Sequence, residues 1–314
     1  MPFVKEPFHV KRKMPAFLFI MRQFDFTQAQ AQRLICKGRL LINGASIFNP
    51  GTKIEAGEVE VVYFKANSKG ETPLFSNKDF MVFEKPSGVL VHPNTMATPY
   101  SMLDEIRHIS GDHANAVHRI DMETSGLLLA SKHKKAEHYL KNAFEIKTIQ
   151  KSYLAWVDGK IDAPFCVSEN IKINNDYTKV KHKVFISKEG KTAHTEFTPL
   201  HYNETLDATL LACYPLTGRT HQIRVHLLHS KHPILGDPIY GTCFESANRY
   251  LEERLSKEER LIQTGASRLL LHAHTLSFHY KNQFFIESKS DFKAMHSLIC
   301  PKEIRQFNMK KYED

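Results

Sequence analysis

Apolar residues along this chain fall mostly in short runs. Between residues 206 and 214 they alternate, with Leu206, Ala208, Leu210, Ala212 and Tyr214 on one side and Asp207, Thr209, Leu211 and Cys213 on the other. That period of two predicts a strand. Comparable apolar runs predict strands at 80–84, 127–131, 153–157, 193–197 and 269–278. Helical spacing predicts helices at 102–108, 134–144 and 220–230. The helices interrupt the strands without a sustained β-α-β rhythm. The pattern therefore predicts an α+β domain, a mainly antiparallel mixed sheet with flanking helices.

Ahead of this lies a smaller pattern. Residues 28–37 read as a helix, Leu40-Leu41-Ile42 as a strand entering an Asn43-Gly44 turn, and 59–64 as a closing strand. The stretch 65–73 is polar and rich in breakers and reads as a linker. The expected division is a small N-terminal domain at 1–68 and a larger domain at 69–314. The apolar run 15–21 follows Lys11-Arg12-Lys13 and has some of the look of a signal peptide, but Arg22 ends it and no small-residue cleavage site follows. No other uncharged apolar stretch is long enough to span a bilayer, so a cytoplasmic protein with no membrane partner is expected.

Composition narrows the function. With 314 residues and 42% hydrophobic content the chain can bury a full core. A net charge of +9 favours a polyanionic partner such as nucleic acid. The five cysteines are widely spaced without a C-x-x-C pair, which argues against structural zinc and a disulfide framework. There is no P-loop and no Rossmann glycine fingerprint, so neither a cofactor nor a resident metal is expected.

Three segments carry candidate chemistry. In His118-Arg119-Ile120-Asp121-Met122-Glu123-Thr124-Ser125-Gly126, polar and charged groups crowd a loop that feeds an apolar strand, a place where a scaffold holds reactive groups rigidly. Asp121 reads equally as a turn or cap residue. In Gly218-Arg219-Thr220-His221-Gln222-Ile223-Arg224-Val225-His226, a glycine turn places Arg219 at the mouth of a helix whose buried stripe includes Ile223 and Leu227. Arg219 is then placed to face and ionise a carboxylate from another loop, or to be a solvated helix end. His221, His226, His229 and His232 raise a metal site, but no H-e-x-x-h arrangement or carboxylate at ligand spacing accompanies them. In the predicted strand at 153–157, Tyr153 shares a face with Ala155 and Val157, either as core or as a stacking surface for an extruded base.

Together these segments resemble the RluA-type family of pseudouridine synthases. The likeness runs in order through Glu84-Lys85-Pro86-Ser87-Gly88-Val89-Leu90-Val91-His92-Pro93, His118 to Leu129, Lys151 to Gly159, Gly218 to His226, Gly236-Asp237-Pro238-Ile239-Tyr240-Gly241 and Leu270-Leu271-His272-Ala273. The resemblance implies a pseudouridine synthase fold and the isomerisation of uridine in RNA. It implies Asp121 as the essential aspartate, Tyr153 as the tyrosine against the target base and Arg219 as the aspartate's partner. It further implies Arg119, beside His118, as the residue entering the RNA stack where the uridine has left, and Leu271 as an apolar pocket residue, with Leu270 its competitor. Ile120 stands where leucine is usual, a volume-conserving change. The N-terminal domain resembles the S-four-like RNA-binding domain through residues 29–44 and 57–61, with a degenerate first helix and without the usual Ser-Arg.

The implied reaction breaks the glycosidic bond, turns the uracil and rejoins it through carbon, without redox chemistry or an energy source. Asp121 attacks the anomeric carbon or acts as the base for elimination to a glycal. Ribosomal RNA of the large subunit is the expected partner, with transfer RNA as the alternative, and a monomer is the expected state. A non-catalytic RNA-binding or ribosome-assembly factor and a histidine-based metal hydrolase are the rival classes.

Overall fold

The computed structural model describes residues 2–174 and 184–305. Close contacts divide the chain into two compact units, Met1–Glu71 with His92–Ile109, and Thr72–Val91 with Ser110–Asp314. Residues 92–109, expected with the larger domain, thus pack with the N-terminal ones.

In the first unit, β1 (Phe3–Val10) pairs antiparallel with β4 (Gly57–Phe64), which pairs with β2 (Leu40–Ile42) and through it β3 (Ala45–Ile47). The β2–β3 hairpin turns at Asn43 and Gly44, both at positive φ (50° and 77°), as the Asn-Gly pair demands. Helix α1 (Ala16–Phe24) and helix α2 (Gln28–Cys36) cover this sheet's core. The apolar run 15–21 lies in a formed helix: Ala16, Phe19 and Ile20 make a buried i, i+3, i+4 stripe, and Asp25 in the left-handed region ends the helix. A Thr27/Gln30 capping box starts α2. The stretch expected as a linker is anchored at residues 67–69, whose backbone N–H groups at Asn67 and Lys69 and hydroxyl at Ser68 donate to Asp104 and Glu105 on the first turn of α3 (Met102–Ser110).

The second unit is built on a mixed sheet. Its strands are β5 (Phe75–Ser76), β6 (Phe80–Lys85), β7 (Ser125–Ser131), β8 (Gln150–Asp158), β9 (Phe165–Val167), β10 (Thr195–Asn203), β11 (Ala208–Pro215), β12 (Leu271–Tyr280) and β13 (Asn282–Glu287). The spatial order is β9-β10-β11-β8-β12-β7-β6-β5, with β13 also on β12. These pairings are antiparallel except β7 with β12, which run parallel over Ser125↔His272 and Gly126↔Ala273. The α+β expectation holds. The alternation read at 206–214 does not mark one solvated face, because β11 is buried on both faces from Ala208 to Cys213. Helices α4 (Lys134–Glu145), α5 (Gln222–His229), α6 (Phe244–Leu251) and α7 (Lys257–Thr264) flank the sheet.

The parallel contact depends on Gly126. Its φ is 101°, and a β-carbon there would sit 2.2 Å from the Ala273 carbonyl oxygen. Gly126→Ala is expected to destabilise the protein by at least about 2 kcal/mol, from strain and overpacking together. The midpoint of denaturant unfolding measures it, and an unchanged midpoint would refute this account of the strand pair.

Candidate active site

Sheet order places the site. The β7 strand receives the 118–124 loop, β12 lies beside it, and β8 lies beside β12, so the two outer strands are about 10 Å apart. Tyr153 on β8 pairs with Ala273 of β12 and Cys213 of β11, and Ala155 pairs with Leu271. Directly paired residues share a sheet face, so Leu271 lies on the face that Tyr153 occupies. This gives Leu271, rather than Leu270, the phase expected of a pocket residue. It is 3% exposed and joins the main core cluster.

Asp121 stands at the loop's end, with its side chain 28% exposed. The Arg224 guanidinium donates from Nη1 to Asp121 Oδ2 at 3.1 Å, and His221 Nε2 lies 3.8 Å from the same oxygen. Asp121 Oδ1 makes no hydrogen bond among the described residues. Burial alone would push this carboxyl up, but His221, Arg224 and Lys85 together hold it below the ordinary carboxylate value. The result is an ionised carboxylate with one oxygen held and the other open.

Arg224 is itself fixed. Its Nε and Nη2 donate to the two oxygens of Asp237 at 2.7 and 2.8 Å, a bidentate pair, and its guanidinium carbon lies 5.0 Å from the centre of the Tyr240 ring. Asp237 Oδ1 also accepts the N–H groups of Ile239 and Tyr240. The Tyr240 hydroxyl accepts the Val184 N–H and meets His221 Nδ1 at 3.0 Å. The Gly236–Gly241 segment thus supplies the base of the site. Gly236 permits the approach, since a β-carbon there would lie 1.6 Å from the Arg268 carbonyl oxygen.

The expectation that Arg219 pairs with Asp121 is corrected. Arg219 is exposed and its Nε donates to the Thr192 carbonyl at 3.1 Å. The helix begins later than expected, at Gln222, whose side-chain oxygen accepts the Arg219 N–H and the Thr217 hydroxyl. The first helical turn then carries Arg224 inward while Arg219 remains on the preceding turn. His118 is also not an RNA-facing group. Its Nε2 accepts the Leu129 N–H at 3.0 Å, its ring stacks on Phe144 at 4.5 Å, and burial pushes the imidazole down to about 3, leaving it neutral. It braces the loop against β7. Arg119, by contrast, is exposed and makes no hydrogen bond or ion pair among the described residues.

The loop is held from several sides. Lys85, opposite Gly126 in β6, donates to the carbonyls of Pro86, Val89 and Met122, and burial pushes its amine down to about 7 against the pull of Asp121 and Glu123. Ser87 Oγ donates to the Glu123 carbonyl and the Gly88 N–H to that of Met122. Glu123 receives Arg260 of α7 on both oxygens, at 3.1 and 2.8 Å, and the Tyr250 hydroxyl of α6 at 2.6 Å. Lys85, Glu123, Arg224, Asp237 and Tyr240 received no role from the sequence, and His221 only that of a metal candidate, although all lie in the segments quoted for the resemblance.

Tyr153 is half-buried and its hydroxyl makes no hydrogen bond among the described residues. Burial, with Asp121 nearby, pushes its phenol up, so it stays protonated. Of the histidines weighed for a metal, His226 is held by Thr195 and buried, and His232 by the Asp158 carbonyl. Among the described residues no group of three or more His, Cys, Asp or Glu is placed to hold a metal ion.

The sequence model of the RNA pseudouridylate synthase family matches residues 79–229. A Helicobacter pylori (strain J99 / ATCC 700824) protein described as an uncharacterized RNA pseudouridine synthase is 37% identical, over 91% of this chain and 94% of its own. The ribosomal large subunit pseudouridine synthase C of Pasteurella multocida (strain Pm70) is 31% identical, over 79% of this chain and 77% of its own. The solved structure of human RNA pseudouridylate synthase domain containing 1 shares the fold with a TM-score of 0.58, at 23% identity, over 77% of this chain and 94% of its own.

Proposed function

Since the chain belongs to the RluA-type family of RNA pseudouridine synthases, we propose that it isomerises specific uridines in large-subunit ribosomal RNA, with Asp121 at the centre of the chemistry. The carrying observation is the ionised Asp121 carboxylate, gripped by Arg224 through Oδ2 with Oδ1 open. The reaction breaks the N1–C1′ bond, turns the uracil and forms a C5–C1′ bond. The proton leaving C5 is balanced by one gained at N1. Oδ1 of Asp121 is the atom that attacks C1′, or that takes the C2′ proton on the glycal route. Tyr153, uncharged and half-buried, packs against the uracil while it turns, and Leu271 on the same sheet face closes the pocket.

Extruding the uridine costs about a few kcal/mol. Arg119, exposed and two positions before Asp121, enters the vacated stack, so one loop both opens the RNA and meets the sugar. Asp237 and Tyr240 position Arg224, and the Glu123–Arg260 pair positions the loop. In the N-terminal unit, exposed Lys11, Arg12, Lys13, Arg33 and Lys37 supply cations for an S-four-like contact to the RNA backbone.

The ribosomal target draws support from the Pasteurella relative, whose name gives the large subunit. Deleting the gene and mapping pseudouridines across all cellular RNA tests it. Loss of one or a few sites confined to large-subunit ribosomal RNA is expected, restored by the wild-type gene. Loss confined to transfer RNA would transfer the assignment to that substrate.

A further inference from the structure

Lys151 is a cation for which the mechanism above has no use. It lies two positions before Tyr153 on β8, beyond the last registered pairing of β8 with β11, which ends at Tyr153↔Cys213. The pairing of β8 with β12 shifts register between Ser152 and Tyr153, and Lys151 lies opposite Leu276. Its ammonium sits over Gly218, where a β-carbon would come within 3.7 Å of Nζ. Gly218 opens the turn that leads to His221, which faces Asp121. Lys151 also acts electrostatically on His118, at the start of the catalytic loop. The 218–221 turn thus adjoins this β8 side chain, and its charge is felt at the start of the 118–121 loop.

Despite being half-buried, Lys151 makes no hydrogen bond or ion pair among the described residues. Burial and the nearby Lys147 both push its amine down, while Nζ keeps access to water, so the free protein holds an unpaired cation that an incoming ligand can reach. Lys85 is different: it is saturated by three backbone carbonyls and committed to the loop. An anion that fits Lys151 has to reach it from the open side of the Asp121 site and has to be absent in the free enzyme. A phosphodiester of the strand that brings the uridine to Asp121 meets both conditions.

We propose that Lys151 and the Gly218 turn form a subsite for one backbone phosphate of the RNA, next to the uridine presented to Asp121. The inference rests on the assignment of Asp121 as the reacting carboxylate. Lys151 is a binding residue for the strand and takes no part in bond making.

The test uses the full-length enzyme and total RNA extracted from cells lacking the gene, which contains the unmodified target whatever RNA carries it. Pseudouridine formation is followed by carbodiimide labelling of the product and primer extension, since the isomer has the mass of uridine, as a function of RNA and salt concentration for the wild type, Lys151→Met, Lys151→Arg and Asp121→Asn. Lys151→Met is expected to lower kcat/KM about tenfold, through KM, and to make log KM less steep in log salt by about one, the signature of one lost phosphate contact. Its Tm is expected to stay close to that of the wild type, because Nζ reaches water and holds no other group in place. Lys151→Arg, which keeps the charge, is expected to recover most of kcat/KM. An unchanged salt slope, a loss confined to kcat, or a fall in Tm that accounts for the lost activity would each overturn the subsite. Turnover by Asp121→Asn would overturn the assignment of Asp121 instead, and the two failures are read from different variants.

Discussion

Asp121→Asn is expected to abolish pseudouridine formation, by more than about 10³-fold, while RNA binding and the unfolding midpoint stay close to the wild type. The magnitude is toward the upper end of what one positioned acid, base or nucleophile contributes. Asparagine keeps the shape of the side chain, so the Arg224 contact at Oδ2 and the hydrogen bonds that hold Met122, Glu123 and Ser125 have no reason to change. What it removes is the negative charge and the nucleophilic oxygen. RNA affinity does not fall with it, since lysines and arginines meet the backbone and a carboxylate repels it. Tritium release from 5-tritiated RNA, alongside filter binding of the same RNA, separates the two effects. Residual turnover within tenfold of the wild type would remove Asp121 from the chemistry, and a parallel loss of binding would make its role structural.

Arg224→Met is expected to be the most damaging single change at the site, because this guanidinium serves two carboxylates. Asp237 is 1% exposed and would keep only the N–H groups of Ile239 and Tyr240. Breaking a buried pair in this way costs about 3–5 kcal/mol. Asp121 would lose a main source of the field that opposes its burial, so its proton would be held more tightly and less of the reactive anion would be present. Chemical denaturation and the maximal rate measure the two losses. The double variant Arg224→Met/Asp237→Asn distinguishes them: removing the orphaned charge while keeping an acceptor for the Ile239 and Tyr240 N–H groups is expected to return much of the stability and none of the activity. Arg219→Ala, at an exposed position away from Asp121, is expected to leave the maximal rate within about twofold, the scale of an ordinary surface substitution. If Arg219→Ala proved as damaging as Arg224→Met, the pairing seen in the structure would not be the working one.

The contrast between those two arginines marks where the sequence stopped being readable. Both lie in Gly218-Arg219-Thr220-His221-Gln222-Ile223-Arg224, and choosing between them requires the helix start. An amphipathic helix would have revealed its phase, but α5 is buried from Gln222 to Leu227 and has no solvent stripe. Its first residue is set by Gln222, which is bonded to four groups, and by His221 at φ 53°. Neither follows from periodicity. The sheet was more legible: six strands expected from apolar runs are present, with ends that shift by a few residues. Asn43-Gly44 gave its turn because few other backbone conformations suit that pair. The α6–α7 region was missed as structure, although Ser256 and Glu259 form a capping box visible as Ser-x-x-Glu. Glu123 with Arg260, 137 positions apart, left no local trace at all. Asp121 and Tyr153 were singled out through the motif segments around them. The groups that hold Asp121 in place lay within the same segments, but only their three-dimensional arrangement gives them a purpose.

The short parallel seam between β7 and β12 has a bearing on when the enzyme comes into being. Ser125 meets His272 across 147 positions of chain, and His272 in turn meets Ser288. A growing polypeptide that has reached only the α7 helix has already made Asp121, Tyr153, Arg224 and Asp237, yet lacks the strand that separates β7 from β8. Until residues 271–288 are available, nothing sets the distance between the aspartate's loop and the tyrosine's strand. Assembly of the site therefore waits for the 271–288 hairpin, and a nascent chain that lacks it can sit beside RNA without modifying it.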